Sequence, residues 1–367
     1  MRMNRRELLI AGTAFAGAAM LPRIASARQG FIEQRGAWRQ FETVTRIDLA
    51  NPQGASQAWV PVPSVNEAEW FKSLGSEWKT NAASAKIERD PVYGAEMVHL
   101  QWKEGEAAPY AEVTSRISTR DRTVDFSASG NAAPLSDSDR KLYTSATDLI
   151  PIDGIVKETS DKITADASSD VDRARAVYQW IVENTFRDPK TRGCGTGDIA
   201  GMLKTGNLKG KCADLNALFV GLVRAAGIPA RDVYGIRVAP SKFGYKSLGA
   251  NSETITKAQH CRAEVYLDGF GWIPADPADV RKVVLEEPPA NLAIDDPKVV
   301  QARNTLFGAW EGNWLAYNMA HDVALPGSNG AHLGFLMYPQ AKNSAGLLDC
   351  LDADTFKYVI TSREVAA

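Results

Sequence analysis

The sequence predicts an α+β protein in which a β-sandwich precedes a core of helices packed on an antiparallel sheet. Three observations predict it. Short runs of apolar–polar alternation, with turn signals between them, extend from about residue 38 to 126. After a polar, linker-like stretch at 127–139, the apolar period lengthens to that of a helix. Alternating runs then return between residues 231 and 277.

In the first region, residues 41–49 alternate for part of their length, and 97–102 and 111–117 continue the pattern. Residues 58–63 read as an edge strand, because Pro61 and Pro63 cannot donate to a ladder. Ala174, Val177, Tyr178 and Ile181 recur at i, i+3, i+4 and i+7, which predicts a helix over about Asp170–Asn184 capped by Ser169 or Asp170. Leu215, Leu218, Phe219 and Leu222 mark a second helix that starts near Lys211 and stops at Gly227, with Pro229 beyond it. Strands are expected at 231–238 and 261–267, the latter followed by an Asp268-Gly269 turn. Residues 271–274 lead from that turn into Asp276-Pro277. Residues 240–256 read as a loop and 285–297 as irregular chain. From about 307 onward the pattern suggests a short helix, with Trp310 and Trp314 packing from it, and a hairpin near 335–338 and 358–360.

The 367 residues accommodate two or three domains. The expected divisions are an export segment at 1–27, a β-sandwich-like domain at 28–130, the core at 131–285 and a C-terminal extension at 286–367. A hydrophobic fraction of 44% and a charged fraction of 23% exclude long disorder, collagen and coiled coil. With 42 basic and 44 acidic residues, there is no electrostatic footprint for nucleic acid. Four cysteines are too few for a disulfide-built scaffold.

Residues 1–27 read as an address. Arg5 and Arg6 precede a mildly apolar run at 8–21, and Ala25-Ser26-Ala27 forms a small-x-small cleavage site. The run is shorter than the roughly 20 residues needed to span a bilayer, so no stable membrane span is expected. The paired arginines point to the twin-arginine export machinery and hence to a periplasmic or secreted protein that folds before export. Removal of the segment takes away four basic residues and one acidic one, leaving 38 basic and 43 acidic.

The chain has no phosphate loop, no His-Glu-x-x-His zinc helix, no EF-hand loop and no Gly-x-Ser-x-Gly elbow, and its four histidines do not have zinc-ligand spacing. Cys212 stands out because Lys209-Gly210-Lys211-Cys212 leads a turn into the second helix. A thiol in the first turn meets the positive end of the helix dipole and unpaired N–H groups, which favour thiolate and can receive an oxyanion. A lone cysteine is otherwise a small buried hydrophobe. His260 starts an alternating strand 48 residues later, and Asp276 follows the next turn, so a hairpin can set the two side by side. Cys212 facing that imidazole would complete a nucleophile, base and orienter.

The run from Lys209 to Arg231, with Gly-Lys-Cys-Ala-Asp-Leu, resembles the core motif of the transglutaminase-like superfamily. His260, Glu-Val-Tyr-Leu-Asp-Gly, Gly-Trp and Asp276-Pro277 resemble its second half. The likeness covers about 169–280 and implies a papain-like core acting on amides, by hydrolysis or by transfer to amines. It implies Cys212 as nucleophile, His260 as general base and acid, and Asp276 as the residue orienting His260. No cofactor or metal is implied. Arg262 departs from the aromatic residue that many members carry there; it shares the face of His260 and Glu264, and either pairs with Glu264 or contacts a substrate carboxylate. Cys194 lies in a glycine-rich loop, Cys261 is expected on the face opposite His260, and Cys350 is near the C-terminus. A Cys194–Cys212 bond would silence the site. His99 is expected in a strand, and His321 beside Asp322 at the surface. The expected function is an exported cysteine amidohydrolase, peptidase or acyltransferase acting on a peptide or protein of the cell envelope. The alternative is a catalytically silent envelope-binding scaffold on the same fold.

Overall fold

The computed structural model describes residues 35–50, 52–127, 130–330 and 332–366. The export segment expected at 1–27 lies outside these residues. Among the described residues no helix is long and apolar enough to cross a membrane.

The fold is α+β, and it opens with a two-sheet sandwich. One sheet has the strand order Lys357–Val365, Arg39–Asp48, Tyr110–Thr119, Phe71–Thr80. The other runs Gly346–Leu347, Gln340–Asn343, Ser56–Val62, Glu96–Trp102, Ser84–Arg89. Alternation places Ile47, Ala111 and Val113 of the first sheet against Val60, Leu100 and Trp102 of the second, with Phe356 closing the layer. Each of the larger aliphatic and aromatic side chains contributes about 1.5–3 kcal/mol when removed from water.

Ser56–Val62, expected at an edge, is a central strand. It pairs along its whole length with Glu96–Trp102, but only Gln57, Ala58 and Trp59 pair with the 340–343 strand. Pro61 lies past the end of that second pairing, so its missing donor leaves no gap in the ladder there.

The core sheet is antiparallel, ordered Gly271–Ala275, Gln259–Leu267, Ala230–Arg237, Trp314–Asn318. The Cys212–Ala225 helix lies between this sheet and the helices Gly154–Thr164 and Asp170–Asn184. All of its residues are buried, as expected of a helix covered on every side. Ser169 caps the Asp170–Asn184 helix by accepting from the Asp172 N–H. Gly227, at φ +84°, ends the cysteine helix in the left-handed region that glycine tolerates.

The C-terminal residues differ from their sequence reading. A helix spans Pro297–Thr305, and Trp310 and Trp314 both lie in strands. The expected hairpin is absent: Leu333–Phe335 pairs with His321–Val323, and Lys357–Val365 pairs with Arg39–Asp48. Strands from 286–367 thus cover edges in both sandwich sheets and supply the fourth strand of the core sheet. Open edges leave unpaired N–H and C=O groups, and distant chain satisfies them here. Trp70 meets Trp310 edge-on at 5.4 Å, with Arg122 placed 5.3 Å from both rings, so the sandwich and the core share one aromatic seam.

Candidate active site

Cys212 is the first residue of its helix, and Lys211 is the N-cap. Asp214 fixes this start. It accepts from the Lys211 N–H at 3.0 Å and, across the chain, from Thr196 and Gly197 at 2.9 and 3.0 Å. One carboxylate therefore ties the Cys194 loop to the helix entrance. Gly195, at φ +97°, and Gly210 are required because a Cβ at either would collide with that carboxylate.

The Cys212 thiol is buried. The neighbouring Cys194 and then Cys261 thiols, with the His260 imidazole, hold it well below the usual thiol range, against the burial that would raise it; the Cys194 thiol itself donates to the Gln259 carbonyl at 3.4 Å. Cys194 and Cys261 are pushed up in return, Cys194 chiefly by its bond to Cys212 and Cys261 chiefly by burial. All four cysteines are free thiols. Strand alternation separated Cys261 from His260, yet both reach the Cys212 sulfur. The helix start is seated over the beginning of the strand, where Asn216 Nδ2 donates to the Cys261 carbonyl at 2.8 Å.

His260 Nε2 donates to Asp276 Oδ2 at 2.7 Å and lies 3.4 Å from Asp279 Oδ2. Nδ1 is then the ring nitrogen left for the sulfur. Burial opposes the imidazolium, but Asp279 and Asp276 outweigh it, Arg237 notwithstanding, and push the group up to about 9. Asp276 is fully buried and has two tasks. Its Oδ1 caps the Pro277–Glu286 helix by accepting from the Asp279 N–H at 3.1 Å, and its Oδ2 faces His260. Pro277 at the first helical position suits that cap. Burial and Asp279 raise the Asp276 carboxyl, whereas Asp279 itself is held well below the usual range by Arg237, which donates to both its oxygens at 2.6 and 2.7 Å.

The structure thus brings Cys212, His260 and Asp276 together. It adds Asp279 and Asn216. Asn216 Nδ2 also donates to Asp276 Oδ1 at 3.2 Å, and its Oδ1 accepts from the Ala278 N–H. The available signal was an amide one turn after the cysteine, on a largely apolar helix that also carries Asp214 and Arg224. Gln259 is a further addition: its side-chain nitrogen is buried without a partner and lines the cleft. The Cys212 N–H likewise has no protein acceptor among the described residues.

Arg262 does not pair with Glu264. Glu264 is held by Arg231, on the neighbouring strand and directly across in register, and by Arg122. Arg262 is buried instead over Trp314, 4.7 Å from the ring centroid, donates to the Glu311 carbonyl and does not line the cleft. His321 is not at the surface. It is buried 3.5 Å from Asp232 and 3.4 Å from the Tyr234 hydroxyl, and burial holds it neutral. His99 is buried in its strand, stacked on Trp59.

Among the described residues, His260, Asp276 and Asp279 are the one group of three whose ligand atoms lie close enough to hold an ion. Arg237 and Arg262 already oppose those carboxylates, which disfavours a cation. The site opens into a cleft of about 510 Å³ walled by the 192–194 loop, residues 249–252 and 254–260, and Tyr338, Cys350, Leu351, Phe356 and Tyr358 of the C-terminal chain. With a low thiol, an imidazolium and unpaired N–H donors, the arrangement can form and break a thioester.

A sequence profile described as the transglutaminase-like superfamily matches residues 157–277. An uncharacterised protein of Haemophilus influenzae is 37% identical over 342 residues, 89% of this chain and 91% of that protein. The uncharacterised protein YebA of Bacillus subtilis is 27% identical over 125 residues, 33% of this chain and 17% of that protein. A solved structure of a candidate cysteine protease from Cytophaga hutchinsonii is 16% identical, with a TM-score of 0.49 over 90% of this chain and 99% of that one.

Proposed function

Because the chain belongs to the transglutaminase-like superfamily, we propose that it is an exported cysteine enzyme acting on peptide or side-chain amides through a thioester on Cys212. The observation that carries this reading is the 2.7 Å bond from His260 to buried Asp276, with Cys212 at a helix start lining the same cleft as His260.

In the first step the Cys212 thiolate attacks the amide carbonyl and the electron pair moves to oxygen. The Cys212 N–H and the Gln259 side-chain nitrogen, both without protein acceptors, receive that oxyanion. His260 gives its proton to the leaving amine as the C–N bond breaks. Water or a second amine then attacks the thioester, His260 takes its proton, and the thiolate leaves. Asp276 and Asp279 favour the imidazolium that precedes acylation and that forms again when His260 takes the proton in the second step. Export to the periplasm or beyond is supported by Arg5, Arg6 and the Ala25-Ser26-Ala27 site, and it makes envelope peptides or proteins the candidate substrates.

The test is labelling of the mature protein with iodoacetamide at pH 6, followed by turnover of envelope extracts with and without a labelled amine. Cys212 reacts first and faster than a free thiol, and the Cys212→Ala protein yields no product. Equal turnover by Cys212→Ala would overturn the reading.

A further inference from the structure

The walls of the cleft carry one sign of charge. Arg187, Arg192, Lys211, Arg237, Lys257 and Lys282 line it together with His260, and among the described residues no aspartate or glutamate does. The whole chain has 42 basic and 44 acidic residues, so composition does not account for this segregation.

The charge is not cancelled from behind. Deep in the site, Arg237, Arg262 and the His260 imidazolium balance Asp276, Asp279 and the Cys212 thiolate. Nearer the mouth, Arg192 pairs with Asp349 and Arg187 with Glu286. Lys282 only approaches that same Glu286, at 3.7 Å, and burial and Arg237 push its ammonium down. The cleft wall therefore carries five cations outside the Arg237–Asp279 pair, and Lys211 and Lys257 among them have no ion-pair partner among the described residues. Three of the five ride on the elements that carry the reacting groups. Lys211 precedes Cys212, Lys257 lies three residues ahead of His260, and Lys282 is on the helix that Asp276 caps.

We infer that the acyl donor is a peptide with carboxylates flanking the amide that Cys212 attacks, held by Lys211, Lys257 and Lys282. The inference rests on the amide chemistry proposed above. A concave wall of one sign concentrates the opposite charge, and ammonium groups on long stems reach carboxylates at more than one position. An acidic side chain and a free C-terminal carboxylate offer the same chemistry.

The test measures binding without turnover, using the Cys212→Ala protein and four fluorescent hexapeptides of one backbone. They carry two glutamates or two glutamines, each as the C-terminal acid or amide. Carboxylates raise affinity about 10- to 100-fold, the gain of one or two charge-assisted contacts, and the gain shrinks as salt is added. A larger effect of the terminus than of the side chains assigns the lysines to a terminal carboxylate. The preference collapses in Lys257→Gln with Lys282→Gln, and the single change at exposed Lys257 keeps the test open if the pair does not fold. Equal binding of all four peptides overturns the inference. Turnover by the wild type is followed in parallel. Turnover without a carboxylate preference sinks this inference alone. A binding preference without turnover or Cys212 labelling sinks the amide chemistry, and the acyl-donor assignment with it.

Discussion

Asn216 and Asp276 are joined by a buried hydrogen bond of 3.2 Å that links the helix beginning at Cys212 to the carboxylate facing the His260 imidazole. The same amide donates to the Cys261 carbonyl and accepts from the Ala278 N–H, so one side chain fixes helix, histidine strand and capped turn relative to one another. Asn216→Ala leaves the buried Ala278 N–H without its acceptor and takes one donor each from the Cys261 carbonyl and Asp276 Oδ1. The cost is about 1–3 kcal/mol of stability, and turnover falls because His260 and Cys212 lose their common frame. A urea midpoint measured beside kcat checks both parts.

The two aspartates separate in mutants. Asp276→Asn keeps an oxygen for the helix cap but removes the charge behind His260, so the fold persists while kcat falls by up to roughly 10⁴-fold. This loss is smaller than that of Cys212→Ala. Asp279→Asn leaves Arg237 buried without its partner and costs about 3–5 kcal/mol. Denaturation midpoints therefore distinguish the variants: Asp276→Asn stays near the wild type and Asp279→Asn does not.

The pH dependence follows from opposite shifts. Cys212 is held low and His260 is raised to about 9, so the thiolate–imidazolium pair exists between the two values. Above about pH 9 the imidazolium loses the proton that the leaving amine needs, and acylation declines with rising pH. In stability the raised imidazole contributes fully below its unfolded value near 6.5, and this is lost as pH rises through 9. A thermal melt series from pH 6 to 10 shows that decline in the wild type and not in His260→Ala.

Local pattern made part of this architecture legible. A helical period with a glycine stop located the cysteine helix, and alternation with an Asp-Gly turn located the strand of His260 and the strand that leads into Asp276, which caps a helix and does not continue the strand. Non-local pairing was not legible. Trp314–Asn318 joins the core sheet far from its sequence neighbours, and the i, i+4 spacing of its first tryptophan from Trp310 imitates a helix. Arg262 misled because alternation places it beside Glu264 on one strand, whereas Arg231 meets Glu264 directly across the ladder. The contact of Cys212 with Cys194 and Cys261 depends on how a helix end sits over a strand start, which no period encodes.

Export is testable without the fold. Arg5→Lys with Arg6→Lys keeps both charges but removes the paired guanidinium groups on which the proposed twin-arginine route depends. Cell fractionation then finds full-length precursor in the cytoplasm with Cys212 already reactive to a thiol probe. Normal appearance of the shortened protein outside the cytoplasm would exclude the twin-arginine route.

The last prediction concerns Gln259, whose side-chain nitrogen is buried, unpartnered and in the cleft wall one residue before His260. Buried donors are nearly always satisfied, so an unpaired one beside a nucleophile points to an acceptor that arrives with the substrate. A donor that meets only the developing oxyanion lowers the barrier without tightening the ground state. Gln259→Ala therefore lowers kcat by about 10²- to 10³-fold with little change in KM. Gln259→Glu, which replaces the donor with an acceptor, is at least as damaging. Cys212 labelling by a small alkylating reagent passes through no oxyanion and keeps its wild-type rate in Gln259→Ala. If labelling and turnover fall together, Gln259 holds the thiol environment and the oxyanion has another donor. If neither falls, its unpaired nitrogen has no part in the chemistry.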